Sequence, residues 1–288
     1  MQGNGTPVRI RHFTDPGCPF AFSAERQRLR IDWLYGDQLE WSTHLVVLSE
    51  TPPAAVGPER VAEGRRELHE RYGMPMAWTP LPPVAATVHA CRAVVAARLR
   101  TEDGCRPLLR RLRVLNFMGL ALDDPQVIAR AATEAGLDPD ALAGWMAEEA
   151  VEEALRADMR AARSPSPASR AQDYKLGGAA AERRYTCPSY ELERVAPARD
   201  DWHTANRVDL PGFRPVEAYE TALANLAPEL ERRPDPASVE EVLAWAGMPL
   251  ATAEVAAVCD RPMTDVREEL AHVAVFAPVG GDGYWSEP

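Results

Sequence analysis

The sequence predicts a mixed α/β fold, interrupted by a long helical block and followed by a small appendage of three helices and a hairpin. Three observations predict it. A β-prone run, a cysteine–proline pair, a helical run and a second β-prone run follow one another within the first 48 residues. A helical pattern then holds from about 59 to 163, before β-prone runs return at 186–193 and 205–210. A tract rich in proline and charge, Arg232-Arg233-Pro234-Asp235-Pro236, sets off the last segment.

Residues 8–13 alternate apolar and polar and form the first strand. The helix over 19–35 opens on Pro19, which suits a first turn that has no use for its missing N–H, and stops near Gly36. Residues 39–48 are rich in β-formers, with Trp41, Thr43, Val46 and Val47. Together these make a βαβ unit, for which a right-handed crossover is expected. The proline-containing stretch 49–58 is a loop at the strand end, beside the predicted site. Helices follow over 59–71 (ended by Gly73), 84–99, 106–120, 125–135, 138–147 and 149–163. Asp123-Asp124-Pro125 and Asp138-Pro139-Asp140 are start signals, a capping carboxylate before a first-turn proline. The run 164–169 breaks the pattern and leads into a flexible loop. Residues 196–201 form the turn between the two later strands, and a helix over 214–226 closes the α/β unit. Beyond it, helices over 239–246, 252–258 and 263–274 precede a hairpin, 275–279 with 283–285, turning at Gly280-Gly281-Asp282. Three helices and a two-stranded wing outline a winged-helix-like appendage. The expected organisation is an α/β domain from 1–58 and 164–230, a helical insertion at 59–163 and a small C-terminal domain at 235–288.

The chain has 288 residues, 46% of them hydrophobic, enough for a sizeable core and against disorder. Its net charge of −11 argues against non-specific binding to nucleic acid or anionic membranes. Residues 235–288 hold ten acidic residues and two arginines, a balance of −8, which speaks against a DNA-reading wing and for packing or partner docking. No run of 18 apolar residues occurs, and the polar start Met1-Gln2-Gly3-Asn4-Gly5 does not look like a signal peptide, so a cytoplasmic location is expected. Five cysteines at wide, irregular spacing do not look like a secreted disulfide framework, and no zinc signature is found. Neither a phosphate loop nor a dinucleotide glycine fingerprint is present, so no nucleotide cofactor and no metal are expected.

The most informative stretch is Phe13-Thr14-Asp15-Pro16-Gly17-Cys18-Pro19-Phe20-Ala21-Phe22-Ser23. A cysteine between a strand and a helix start, followed at once by proline, stands where a thioredoxin-type active site would be. The helix amino end carries partial positive charge and free N–H groups, which favour a thiolate, so Cys18 is expected to ionise more easily than a free cysteine (pKa about 8.5). Position 21 is alanine, so the usual second cysteine is missing and nothing adjacent resolves a mixed disulfide. The plain alternative is a buried cysteine acting as a small hydrophobe.

This run resembles the DsbA family, in particular its FrnE-like branch and the related kappa-class glutathione transferases and hydroxychromene carboxylate isomerases. Asp15, Cys18, Pro19 and Phe20 match the family's pattern, with Ala21 in place of its second cysteine. Tyr185-Thr186-Cys187-Pro188-Ser189-Tyr190-Glu191-Leu192 resembles the family's cis-proline segment. Gly212-Phe213-Arg214-Pro215-Val216-Glu217-Ala218-Tyr219 resembles its glycine-led final helix. The likeness covers about residues 7–230. It implies a thioredoxin-like fold with a large helical insertion, Cys18 as nucleophile, and Pro19, Phe20, Thr186 and Pro188 at the substrate. It also implies that Cys187 faces Cys18. Three readings of Cys187 stand: a second catalytic thiol that replaces the missing partner, one ligand of a two-thiolate metal or metalloid site, and a core filler.

Other candidates are weaker. His12 and His44, on the first two strands, and His89, on a helix of the insertion, are candidate bases or thiolate partners; structural roles are the plain reading. Asp15 caps the Cys18 loop or is a simple turn residue. Ser23 is a helix-face hydroxyl. Cys91 reads as packing, Cys105 as a helix-boundary residue, and Cys259 belongs to the appendage. Trp33, Trp41, Tyr72, Met74, Met76 and Trp78 read as core or pocket wall.

The leading functional reading is a thiol-dependent oxidoreductase acting on a small-molecule or protein thiol or disulfide. The second is a transferase or isomerase that takes a low-molecular-weight thiol as co-substrate. The third is a non-catalytic binding protein whose acidic appendage carries the partner. The oligomeric state is not legible in the sequence.

Overall fold

The structure is a computed structural model and describes residues 8–53, 57–79, 81–195 and 206–288, with the side chains of 102–104 left aside. The turn expected at 196–201 and the polar amino terminus lie outside the described residues. Strand β1 (Val8–Thr14) alternates Val8, Ile10 and His12 with Arg9, Arg11 and Phe13 on its two faces. It runs parallel to β2 (Leu39–Leu45), with Val8 opposite Leu39 and Thr14 opposite Leu45. It pairs antiparallel with β3 (Ser189–Arg194), which pairs antiparallel with β4 (Arg207–Leu210), in the order β2-β1-β3-β4.

The helix expected over 19–35 is two helices, α1 (Pro19–Ser23) and α2 (Glu25–Tyr35), broken at Ala24. The break brings the Glu25 carboxylate to the buried guanidinium of Arg113, a long-range pairing that local periodicity cannot register. After α3 (Pro58–Tyr72), α4 (Val88–Arg100) starts four residues later than expected. The amides of Thr87 and Val88 are taken by the Ser49 carbonyl at 3.0 and 3.1 Å, which holds the preceding chain out of the helix. Helix α5 (Glu102–Phe117) starts earlier, with Pro107 inside it. Helices α6 (Pro125–Glu134) and α7 (Pro139–Met146) follow, and the side chains of Asp124 and Asp138 cap them as expected. After α8 (Glu149–Ala162), the expected loop contains a one-turn helix, α9 (Pro167–Arg170), and a bridge between Gly177 and Arg184.

Helix α10 (Val216–Leu226) packs on β3 and β4. The last segment holds α11 (Val239–Ala246), β5 (Leu250–Ala251), α12 (Thr252–Cys259), α13 (Met263–Val273), β6 (Val275–Val279) and β7 (Asp282–Ser286), with a small sheet ordered β5-β7-β6. Its helix α12 lies along α2. One apolar core therefore runs from Ile10 and Leu192 of the sheet, through Trp33 and Leu34 of α2, to Val242, Val255 and Leu270. A second core joins Leu45 and Val47 to the insertion through Val94, Leu108 and Leu155. Between them, Phe22, Met76, Phe117 and Tyr284 bring α1, the 74–78 segment, α5 and the hairpin together.

Candidate active site

Cys18 is the residue that caps the start of α1, in extended backbone (φ −78°, ψ 117°), with Pro19 as first helical residue. Its amide bonds back to the Asp15 carbonyl at 3.3 Å, which closes the loop. Gly17 is required here: a β-carbon on it would lie 2.7 Å from the Thr87 methyl. The peptide bond between Cys187 and Pro188 is cis and delivers Cys187 to the same place from the start of β3. The Cys18 thiol donates to the Cys187 carbonyl at 3.2 Å. Both cysteines are free thiols, and both are buried, among Phe13, Ala21, Val46 and Tyr185.

The two sulfurs divide one charge between them. Cys18 is held below the ordinary thiol value, chiefly by a hydrogen bond from Cys187; burial works against this, and the amides of Ala21 and Phe20 assist. Cys187 is pushed well above the ordinary value, first by burial and then by its bond to Cys18 and the charge there. Cys18 therefore ionises first while Cys187 keeps its proton. On ionisation the contact between Cys18 and the Cys187 carbonyl turns repulsive, and the Cys187 S–H and the α1 amides become the donors that hold the sulfur.

Asp15 does more than turn the chain. Its fully buried carboxylate accepts from the Gly17 amide (2.7 Å), the Leu48 amide (2.8 Å), the Thr87 hydroxyl (2.8 Å) and the Cys91 thiol (3.5 Å). It thereby ties the Cys18 loop to the segment after β2 and to the entry of α4. Val47 turns the chain toward it with φ +54°, a left-handed value that a β-branched residue seldom adopts. The negative charge of Asp15 also opposes ionisation of Cys18.

The other expected residues are distributed as follows. Phe20 is 44% exposed beside Cys18, and Leu48 is exposed as well, so the site has an apolar rim. The Thr186 hydroxyl is taken by the Lys175 carbonyl at 2.8 Å. The candidate histidines have other surroundings. His12 lies buried and stacked on Tyr190 at 4.6 Å, its pKa driven down by burial and by Arg113. His44 is bound by Asp158 (3.1 Å) and Ser42 (3.0 Å), and His89 lines a different cavity within the insertion. Cys91 is raised well above the ordinary thiol value by burial and by Asp15, so it stays a thiol. Among the described residues no group of three or more His, Cys, Asp or Glu side chains is placed to hold a metal ion. No helix among them is long and apolar enough to cross a membrane.

A cavity of about 310 Å³ opens against the Cys18 loop, with Gly17 and Pro19 in its wall. Its other walls come from α3, the 81–87 segment and the end of α5 with the following turn, and include Arg65, Leu68, Phe117 and Leu120. Sequence reasoning missed this cavity. Arg65 carries no local sign of its role, because part of the cavity around it, Gly17, Asn116 and Phe117 among the lining residues, comes from about 50 positions away.

A family model described as a DSBA-like thioredoxin domain matches residues 9–166. Among solved structures the chain is similar to one described as a putative protein disulfide isomerase from Nitrosomonas europaea, with 16% identity, TM-score 0.56, and 75% of this chain and 96% of that one covered. It is also similar to the cytosolic disulfide reductase DsbM from Pseudomonas aeruginosa, with 16% identity, TM-score 0.51, and 77% and 93% covered. A probable DsbA oxidoreductase from Streptomyces coelicolor matches with 16% identity, TM-score 0.51, and 79% and 92% covered. No curated protein sequence matches the chain.

Proposed function

The chain belongs to the DSBA-like thioredoxin domain family, and from that premise we propose that it is a thiol-dependent oxidoreductase of FrnE-like type, with Cys18 as nucleophile and Cys187 as resolving thiol. The observation that carries the reading is that the two buried thiols share one cluster, Cys18 donating to the Cys187 carbonyl at 3.2 Å, with Cys18 held below and Cys187 above the ordinary thiol value. The Cys18 thiolate attacks one sulfur of a substrate disulfide. A mixed disulfide forms, the substrate S–S bond breaks, and the leaving thiolate takes a proton. The mixed disulfide carries no charge, so the Cys18 charge no longer helps to hold the Cys187 proton. Cys187 then loses that proton and attacks the Cys18 sulfur, releasing the second substrate thiol and leaving a Cys18–Cys187 disulfide. Two electrons pass from the protein to the substrate, and a low-molecular-weight thiol is the reductant that restores the pair. Phe20 and the backbone beside Pro188 would seat the substrate. A cytoplasmic location suits this direction of electron flow and finds support in the cytosolic reductase among the similar structures.

Alkylation of Cys18 by iodoacetamide against pH tests the nucleophile, with an apparent pKa below the free-thiol value of about 8.5 expected. An apparent pKa at or above that value counts against it. Oxidised glutathione tests the second thiol: the unchanged protein should end with peptides 18 and 187 joined, and Cys187→Ser should stop at a mixed disulfide on Cys18. A mixed disulfide that persists with Cys187 present would remove Cys187 from the mechanism.

The cavity favours a second reading, a transferase or isomerase in which a small molecule meets a thiol at Cys18. Volumes of about 300–1,000 Å³ are those of small-molecule sites, and this cavity stands at the lower end. Turnover of a small electrophile with a thiol co-substrate, and none of any disulfide, would select it.

A further inference from the structure

The cavity beside Cys18 has one electrostatic feature that its apolar walls do not explain. Two arginines, Arg60 and Arg65, line it, and no aspartate or glutamate is among its lining residues. Arg60 is exposed at the rim, whereas Arg65 is half-buried. Its guanidinium donates once, to the Ala77 carbonyl at 3.1 Å, and lies 5.2 Å from the Phe117 ring. Its remaining N–H groups have no protein acceptor among the described residues, and it forms no ion pair there. The buried Arg30, Arg110 and Arg113 and the half-buried Arg98 are each met by a carboxylate, whereas Arg65, like the half-buried Arg26, is not among the described residues. Burial without a counter-charge lowers the Arg65 pKa to about 10. A desolvated cation facing an apolar cavity is costly unless an anion joins it. Gly64, in the middle of α3, is in the wall as well, and a β-carbon there meets nothing within 4 Å.

We propose that this cavity binds an organic carboxylate with a compact apolar body, the carboxylate paired with Arg65 and the body held by Leu68, Phe117 and Leu120. The chemistry follows from the walls. A guanidinium offers a planar fork that matches a carboxylate, and the apolar walls match hydrocarbon and not the polar backbone of a peptide thiol. The cavity deepens the proposed function and rests on that reading, because its wall contains both chain neighbours of Cys18 and so places the bound molecule beside the loop that carries the reactive sulfur. Binding itself needs no reactive thiol, so it succeeds or fails separately from the alkylation test.

Titration calorimetry on the full-length reduced protein with 4-phenylbutyrate and its neutral counterpart 4-phenylbutan-1-ol tests the proposal. The carboxylate is expected to bind at least ten-fold more tightly. Arg65→Met should bring the two affinities together. Gly64→Phe, which fills open space and removes a helix-weakening glycine, should abolish binding of both. Equal affinities in the unchanged protein, binding of neither probe, or ten-fold preference surviving Arg65→Met overturns the assignment. Should Arg65→Met fail to fold, Gly64→Phe decides alone: binding that persists in it places the ligand elsewhere.

Discussion

At the scale of single residues the site depends on where one negative charge rests. Asp15 and Cys18 are close enough for the carboxylate to oppose the thiolate, yet Asp15 is retained in the interior because four donors converge on it. Two duties conflict there: the carboxylate organises the loop and weakens the acidity of its nucleophile. Asp15→Asn separates them. The amide removes the charge, so the apparent pKa of Cys18 should fall further, read by iodoacetamide kinetics against pH. The amide also turns an NH2 group toward donors that need an acceptor, which should cost about 1–3 kcal/mol of stability, read by denaturant unfolding. A Cys18 pKa that rises would show that loop geometry outweighs the charge. The match of Asp15, Cys18, Pro19 and Phe20 to a family pattern was readable from the chain. The four donors to Asp15 were not, since two come from residues more than 70 positions away.

At the scale of elements, α2, which follows the short helix capped by the nucleophile, is held by charge. Glu25, at the first turn of α2, is buried with Arg113 against it and Arg28 and Arg110 each 3.8 Å away. Burial would raise its pKa, but the arginines outweigh that and keep it ionised. Arg113 also donates to Thr14 at the end of β1, and Arg110 forms a two-pronged pair with Glu254 of α12 at 2.5 and 2.8 Å. One face of α5 thus fastens β1, α2 and α12. Arg113→Met should cost about 3–5 kcal/mol, because Glu25 loses its closest partner in a buried setting. The double variant Glu25→Leu with Arg113→Met should recover much of that loss in urea unfolding. No recovery would mean that the arginine acts by packing alone. Helical periodicity marks this helix in the sequence, but no local pattern records that Arg110 and Arg113 turn inward to carboxylates on α2 and α12.

At the scale of the whole molecule, residues 235–288 complete a core begun by the first 35 residues. The Arg30 side chain is buried, donates to the Val258 carbonyl at 2.5 Å and pairs with Asp235 at 2.8 Å. The hairpin turn presses on the 74–78 segment so closely that any β-carbon at Gly280 would collide with the Met76 carbonyl. That segment continues toward the cavity wall. A chain ending at residue 234 should therefore lose its cooperative unfolding transition, read by near-ultraviolet circular dichroism and thermal melting. A truncated chain that melts within a few degrees of the full one would show that the last segment is dispensable for the fold.

The order of elements, the caps at Asp124 and Asp138, the Cys18-Pro19 helix start and the three helices with a hairpin at the C-terminal end all follow from local pattern. Periodicity, turn chemistry and capping act over a few residues, so the sequence alone carries them. The meeting of Cys18 with Cys187 was implied by the family resemblance and not by local pattern; the burial of Asp15 under four donors, the break at Ala24 and the position of Arg65 in its cavity were decided only by tertiary structure. Each depends on groups brought together from distant positions, where desolvation and pairing set the energy and no short stretch of sequence records the partner.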